Sequence, residues 1–131
     1  METPVRILVV DDEVLLLQLA QFILEEAGFH VRVATGSQQA LILLQSDMPE
    51  IILLDVMMPG MDGIELCRRI RADYPHLSPY IMMYSADSSQ ESRERGLSVG
   101  ANLYLTKDIS LYELPRLIHR HFQLNPKIAS Q

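Results

Sequence analysis

Three carboxylates, a hydroxyl and a lysine stand at the ends of runs that read as buried strands. VRILVV (5–10) is followed by Asp11 and Asp12, and IILL (51–54) by Asp55. YIMMYS (80–85) ends on Ser85, and NLYLT (102–106) is followed by Lys107. A buried strand has no packing reason to end on a carboxylate, so these residues call for a chemical account. Carboxylates packed together repel, which raises the pKa of at least one of them. A hard divalent cation held by oxygens relieves that repulsion. Mg²⁺ suits such a set best, because it takes one or two carboxylates, keeps waters and completes its shell with a phosphate. Lys107 adds a positive point charge, and the Ser85 hydroxyl can donate to an anionic oxygen. A cation, an ammonium and a hydroxyl together make the anion site that phosphoryl transfer requires. Asp55 is then the candidate nucleophile, since carboxylates form aspartyl-phosphates.

The elements that must position these groups alternate regularly. The strands at 5–10 and 51–54 are short, almost wholly apolar runs of the buried parallel type. Between them, residues 14–27 have helical periodicity with Leu16, Ala20, Ile23 and Ala27 on one stripe and Gly28 as terminator. HVRVA (30–34) alternates like a strand with one polar face, and Ser37 is placed to cap a helix over 38–46. Asp62 and Glu65 have capping-box spacing and open a helix to about residue 73. A helix over 88–99 ends at Gly100. Its run SSQESRER lacks apolar residues, which leaves Leu97 and Val99 to anchor it and predicts the most mobile element. Ser110 and Glu113 form a second capping-box pair for a last helix to about 122. Counted from Ser110, Pro115 falls at the fifth helical position, where it removes the bond to the Leu111 carbonyl and distorts the first turn. The pattern is (βα)5, an α/β chain with a doubly wound parallel five-stranded sheet and helices on both faces. In such a sheet, ligands bind at the carboxyl ends of the strands, where the candidate residues stand.

Composition agrees with one ordinary globular domain: 131 residues, 48% hydrophobic and 21% charged. No apolar run approaches the roughly 18–20 residues that span a bilayer, and METPVRILVVDDE lacks a signal-peptide layout. The expectation is a cytoplasmic protein with no membrane contact. A net charge of −6 argues against direct nucleic-acid binding, which needs a basic face. The single Cys67 permits no internal disulfide and reads as a small packed hydrophobe. Met57, Met58 and Met61 read as loop packing, and the four histidines show no metal-ligand spacing.

In combination these motifs are specific. VVDDE carries Asp11 and Asp12. LLDVMMPGMDG carries Asp55, Pro59, Asp62 and Gly63. YSA carries Ser85, and GANLYLTK carries Gly100, Ala101, Tyr104 and Lys107. Over residues 4–123 the chain resembles the receiver domain of two-component response regulators. The resemblance implies a flavodoxin-like fold with strand order 2-1-3-4-5 over 1–123, and a C-terminal tail or start of a linker at 124–131. It implies phosphoryl transfer to Asp55 from a sensor histidine kinase or a phosphotransfer protein. Mg²⁺ would be held by Asp11, Asp12, Asp55 and the backbone carbonyl of Met57, with Lys107 and Ser85 gripping the phosphoryl group. Ser85 and Tyr104 would form the switch, with Tyr104 swinging from outside to inside and reshaping the face of helix 4, strand 5 and helix 5. That face would control an unidentified output partner or fused domain, and it is compatible with a phosphorylation-dependent dimer. Such a domain is not an enzyme beyond its own phosphorylation and dephosphorylation.

Two departures stand out. The family has proline after the lysine, whereas this chain has Lys107-Asp108. Either that bond is trans with a rearranged loop, or it is a cis bond that costs about 3–4 kcal/mol without proline. Pro115, on the signalling face, is the second. Val14, Leu15 and Leu17 cannot all face the core with Leu16, and beside Asp12 they form a candidate docking patch for the phosphodonor. Three rival readings follow. A phosphatase would carry a second acid two residues after its nucleophile, where this chain has Met57. A flavin carrier would need a hydroxyl-rich loop after the first strand, where this chain is acidic. A degenerate receiver would act as a phosphorylation-independent interaction module.

Overall fold

The computed structural model describes residues 3–122. Five strands and five α-helices alternate. They are β1 (Arg6–Val10), α1 (Val14–Glu26), β2 (His30–Ala34), α2 (Ser37–Ser46), β3 (Ile51–Leu54), α3 (Gly63–Asp73), β4 (Tyr80–Ser85), α4 (Gln90–Ser98), β5 (Leu103–Thr106) and α5 (Leu114–Phe122). All strand pairs are parallel, in the order β2-β1-β3-β4-β5. This is the expected doubly wound sheet. The tail at 124–131 lies outside the described residues.

The sheet divides the core in two because alternate side chains of each strand point to opposite faces. Leu8, Val10, Ile52, Leu54, Ile81 and Met83 pack against α2, α3 and α4. Ile7, Val9, Ile51, Leu53, Met82 and Tyr84 pack against α1 and α5. β1, β3 and β4 are buried on both faces, which is why their sequences are near-continuous apolar runs.

Several local expectations need correction. On α1 the buried residues are Leu17, Ala20, Ile23 and Leu24, so the stripe is rotated from the predicted one and Leu17 belongs to the core. Leu16 and Ala27 pack only at its margin. Ser37 does not cap α2. Gly36 takes that position, and the Ser37 hydroxyl instead donates to the Met61 carbonyl at 2.7 Å, tying α2 to the loop after β3. Asp62 does cap α3, accepting from the Glu65 N–H at 2.9 Å, but Glu65 turns to Arg68 instead of closing the box. Ser110 caps a single 3₁₀ turn, Leu111–Glu113, ahead of α5. That turn resolves the Pro115 problem. The Leu111 carbonyl accepts from the Leu114 N–H, and Pro115 becomes the second residue of α5, where a missing N–H costs little.

Candidate functional site

Backbone pairing brings the acids together. The Asp55 N–H donates to the Val10 carbonyl at 2.9 Å, which sets the end of β3 beside Asp11 and Asp12. The Lys107 N–H donates to the Ser85 carbonyl at 2.8 Å, which sets the end of β5 beside the end of β4. One ligand oxygen from each of Asp11, Asp12 and Asp55 lies within 4.8 Å of the others. Asp11 and Asp55 are buried, and Asp12 is exposed at the mouth.

The Lys107 ammonium reaches into this cluster. Its Nζ lies 2.9 Å from Asp11 Oδ2, 3.6 Å from Asp55 Oδ1 and 3.8 Å from Glu13 Oε1. The other Asp11 oxygen accepts from the Glu13 N–H at 2.9 Å. Burial pulls the Lys107 ammonium down. The Asp11 hydrogen bond and the Asp55 and Asp11 charges outweigh that, and the group ends above its ordinary value. Asp55 moves the other way. Burial, then the charge of Asp11, pushes its carboxyl up from 3.8 to about 6, against the opposing pull of Lys107 and of the Met57 N–H. That N–H lies 3.3 Å from Asp55 Oδ1, so the Met57 peptide is folded against the carboxylate, while the Met57 side chain points outward.

The loop that places Met57 depends on a close approach. The Gly63 N–H donates to the Val56 carbonyl at 2.8 Å. A Cβ at Gly63 would lie 2.0 Å from the Asp55 carbonyl oxygen, so only glycine lets α3 start this close to the end of β3.

The chain has no cis peptide among its described residues, so Lys107-Asp108 is trans. Asp108 does not compete for the lysine. Its carboxylate accepts from the Thr106 hydroxyl at the surface, and Lys107 stays with the inner acids.

The remaining two candidates lie on the far side of the site. Ser85 is fully buried, and its hydroxyl accepts from the Asp87 N–H at 3.1 Å, facing the following loop. The Tyr104 ring is 2% exposed and already inside, with its hydroxyl donating to the Asp87 carbonyl at 2.6 Å. Of the two positions in the expected swing, the ring occupies the inner one in this structure. The reason is local: Ser92, Arg93 and Gly96 of α4 form its pocket. Sequence reasoning missed all three, and the one signal that could have found them was a glycine inside a helical segment.

The donor set tests well for a metal. Three carboxylates faced by one ammonium leave excess negative charge in a mostly buried space, and every available ligand is a hard oxygen. The groups thus fit a divalent ion of the Mg²⁺ kind. Cys67, in contrast, is a packed thiol on α3 that burial pushes up to about 11, which leaves it unreactive.

The sequence profile of the response regulator receiver domain matches residues 7–119. The chain belongs to that family. Among curated relatives, it is 42% identical over 111 residues to the response regulator MprA of Mycolicibacterium vanbaalenii, covering 85% of this chain and 47% of the relative. The receiver thus spans about half the length of that relative. Among solved structures, it resembles the chemotaxis protein CheY4 of Vibrio cholerae, with a TM-score of 0.84 and 29% identity over 90% of this chain and 98% of that one. It also resembles the receiver domain of the Francisella response regulator 1452, with a TM-score of 0.83 and 31% identity over 93% and 98% of the two chains. A CheY-like receiver protein from Methanospirillum hungatei gives a TM-score of 0.87 at 26% identity, over 95% and 98%. As a receiver domain, this chain serves two-component signalling. No described helix is long and apolar enough to cross a membrane.

Proposed function

We propose that this receiver accepts a phosphoryl group on Asp55 from the phosphohistidine of a sensor kinase or phosphotransfer protein in the cytoplasm. The observation that carries the reading is Asp55 itself. It is a 4%-exposed carboxylate at the end of a rigid strand, within 4.8 Å of two further carboxylates and 3.6 Å from an ammonium. With a pKa of about 6, it is ionised and nucleophilic at neutral pH.

Asp11, Asp12, Asp55 and the Met57 carbonyl would hold Mg²⁺, which supplies charge neutralisation for the equatorial phosphoryl oxygens. The chain's own groups do the rest. An Asp55 oxygen attacks phosphorus, the P–N bond to the donor histidine breaks, and its electron pair leaves with the imidazole. Lys107 donates from Nζ to one phosphoryl oxygen, and the Ser85 hydroxyl turns from the Asp87 N–H to donate to another. That rotation carries the event to the α4–β5–α5 face, which would control an output partner or a domain outside this chain. A degenerate receiver is not favoured, because Lys107 keeps its place against Asp11 despite Asp108.

The test is intact mass after incubation with acetyl phosphate, with and without Mg²⁺. The wild type gains one phosphoryl group only with Mg²⁺, and Asp55→Ala gains none. An equal adduct on Asp55→Ala, or no adduct on folded wild type, would overturn the assignment.

The docking surface is the outward face of α1. Leu15 is 79% exposed, and Leu19 and Phe22 continue its stripe at helical spacing from the mouth of the site. Val14 extends the patch beside Asp12, whereas Leu17, expected in it, is buried. Leu15→Glu is expected to slow transfer from a phosphorylated kinase domain about tenfold, equivalent to about 1.4 kcal/mol, while uptake from acetyl phosphate stays unchanged. Equal slowing with both donors would show that α1 affects the chemistry and not the docking.

A further inference from the structure

Lys107 reaches the acidic cluster from a loop, residues 107–110, that contains no proline. Asp108 leaves the backbone after the lysine free at φ, and its carboxylate is turned to the Thr106 hydroxyl at the surface. Yet the ammonium sits within hydrogen-bonding distance of a buried carboxylate. The loop is fixed from the core side instead, where two bonds from consecutive residues of β4 bracket the lysine. The Lys107 N–H donates to the Ser85 carbonyl at 2.8 Å. Two residues on, the Ile109 carbonyl accepts from the Tyr84 hydroxyl at 2.5 Å. Between them, the Ile109 N–H donates to the Thr106 carbonyl at 3.0 Å and closes the turn. Tyr84 is buried, in the half of the core that packs against α1 and α5. Phenylalanine would fill that space with no polar atom to satisfy, so the buried phenol is accounted for by its bond. A carbonyl only accepts, so the phenol is the donor. The Lys107 Nζ lies 6.0 Å from the centre of the same ring, at the edge of cation–π range. One side chain thus reaches both the backbone of this loop and its working group.

We propose that Tyr84 is a positioning residue for Lys107, holding the 107–109 segment so that the ammonium stays between Asp11 and Asp55. The proposal rests on the reading of Lys107 as the group that grips a phosphoryl oxygen. Ile109 is two residues from Lys107, so a shift at its carbonyl is carried through planar peptides to the Cα from which the lysine side chain starts. That side chain is long and flexible, and its aim depends on where its Cα is held. The second tie comes from the Ser85 carbonyl. β4 therefore supplies the hydroxyl that meets the phosphoryl group and also the two bonds that place the lysine.

The experiment follows side-chain ammonium groups by NMR in the full chain, labelled with ¹⁵N-lysine and kept cold in EDTA. The chain has two lysines, Lys107 and Lys127, and Lys107→Met assigns their signals. The wild-type Lys107 ammonium, held in its ion pair, is expected to exchange with water several-fold more slowly than free lysine. Tyr84→Phe keeps the ring and removes the hydroxyl. It is expected to bring Lys107 to the exchange rate of free lysine. It is also expected to slow uptake from acetyl phosphate with Mg²⁺ by about tenfold, because a small misplacement of an aligning group is enough. Ile118→Val, at a fully buried position in the same half of the core, is the control for plain loss of stability. It keeps both the wild-type exchange rate and the wild-type uptake, and core methyl signals show that each chain folds. Slow Lys107 exchange retained in Tyr84→Phe, or undiminished uptake by that variant, would overturn the proposal. So would an equal loss in Ile118→Val, which would make Tyr84 one core residue among others. The ammonium measurement uses no phosphodonor. Faster exchange in Tyr84→Phe therefore upholds the positioning role even if the wild type gains no phosphoryl mass, an outcome that removes phosphoryl acceptance alone.

Discussion

Lys107→Met loses stability and phosphoryl uptake together. At neutral pH and without divalent ions, the variant is expected to be about 3 kcal/mol less stable than the wild type, because removing one partner of a buried pair strands the other charge. The stranded group is Asp11, whose side chain is 3% exposed and whose Oδ2 takes the 2.9 Å bond from Lys107. Urea titration measures the difference, and added Mg²⁺ should recover part of it by linkage. Uptake from acetyl phosphate is expected to fall by about 10²-fold or more, the usual effect of deleting one aligned electrostatic donor. The folded pKa of Lys107 is raised. Its contribution is therefore complete through neutral pH and lost only as the pH rises through that raised value in the alkaline range. Unchanged stability with unchanged uptake would make Lys107 a bystander.

Asp55→Asn has the opposite sign on stability. The wild-type carboxyl titrates near 6 in the folded chain against 3.8 ordinarily, so its ionised form is disfavoured by folding. Two pKa units correspond to about 3 kcal/mol, and allowing for relaxation we expect about 2 kcal/mol of added stability at pH 7 in EDTA. For a chain of this size that raises Tm by roughly 5 °C or more. The penalty on the wild type is complete above the folded pKa. It shrinks as the pH falls from about 6 toward 3.8, and below that the two proteins converge. Mg²⁺ narrows the gap from the other direction, by stabilising the wild type more than the variant, which keeps Asp11 and Asp12 but lacks one ligand charge. Calorimetry across pH 4–8 checks both trends, and an Asp55→Asn variant less stable than wild type at pH 7 would refute the burial argument.

The sheet and the acidic cluster were legible for one reason. Parallel strands buried on both faces leave continuous apolar runs, so a polar residue placed directly after one stands out, as Asp55 does after IILL. Topology then brings Asp11, Asp12, Asp55, Ser85 and Lys107 to one edge, whereas the Met57 carbonyl and Tyr104 were expected only from the family resemblance. What stayed hidden was whatever depends on contact through space. Leu16 and Leu17 are adjacent and equally apolar, and only the packing of α1 on α5 and β2 decides between them. SSQESRER looks unanchored because a serine hydroxyl and a glycine carry no hydropathy, yet these are the groups that α4 buries. Ser37 has the chemistry of a cap, but its hydroxyl found the Met61 carbonyl. Pro115 signalled a disturbed helix start correctly, though not that a 3₁₀ turn would absorb it.

The Lys107–Asp11 bond joins residues 96 positions apart. Closing so long a loop is an entropic cost met only when β5 completes the sheet, so this contact is among the most non-local in the chain. Until then, a growing polypeptide carries Asp11 and Asp55 without their cation. β5 also supplies Tyr104 and Leu105 to the two halves of the core, so the core and the Lys107–Asp11 pair are completed by the same strand. A chain still lacking β5 cannot hold that pair, so under the proposed function phosphoryl uptake would itself report that the sheet is complete.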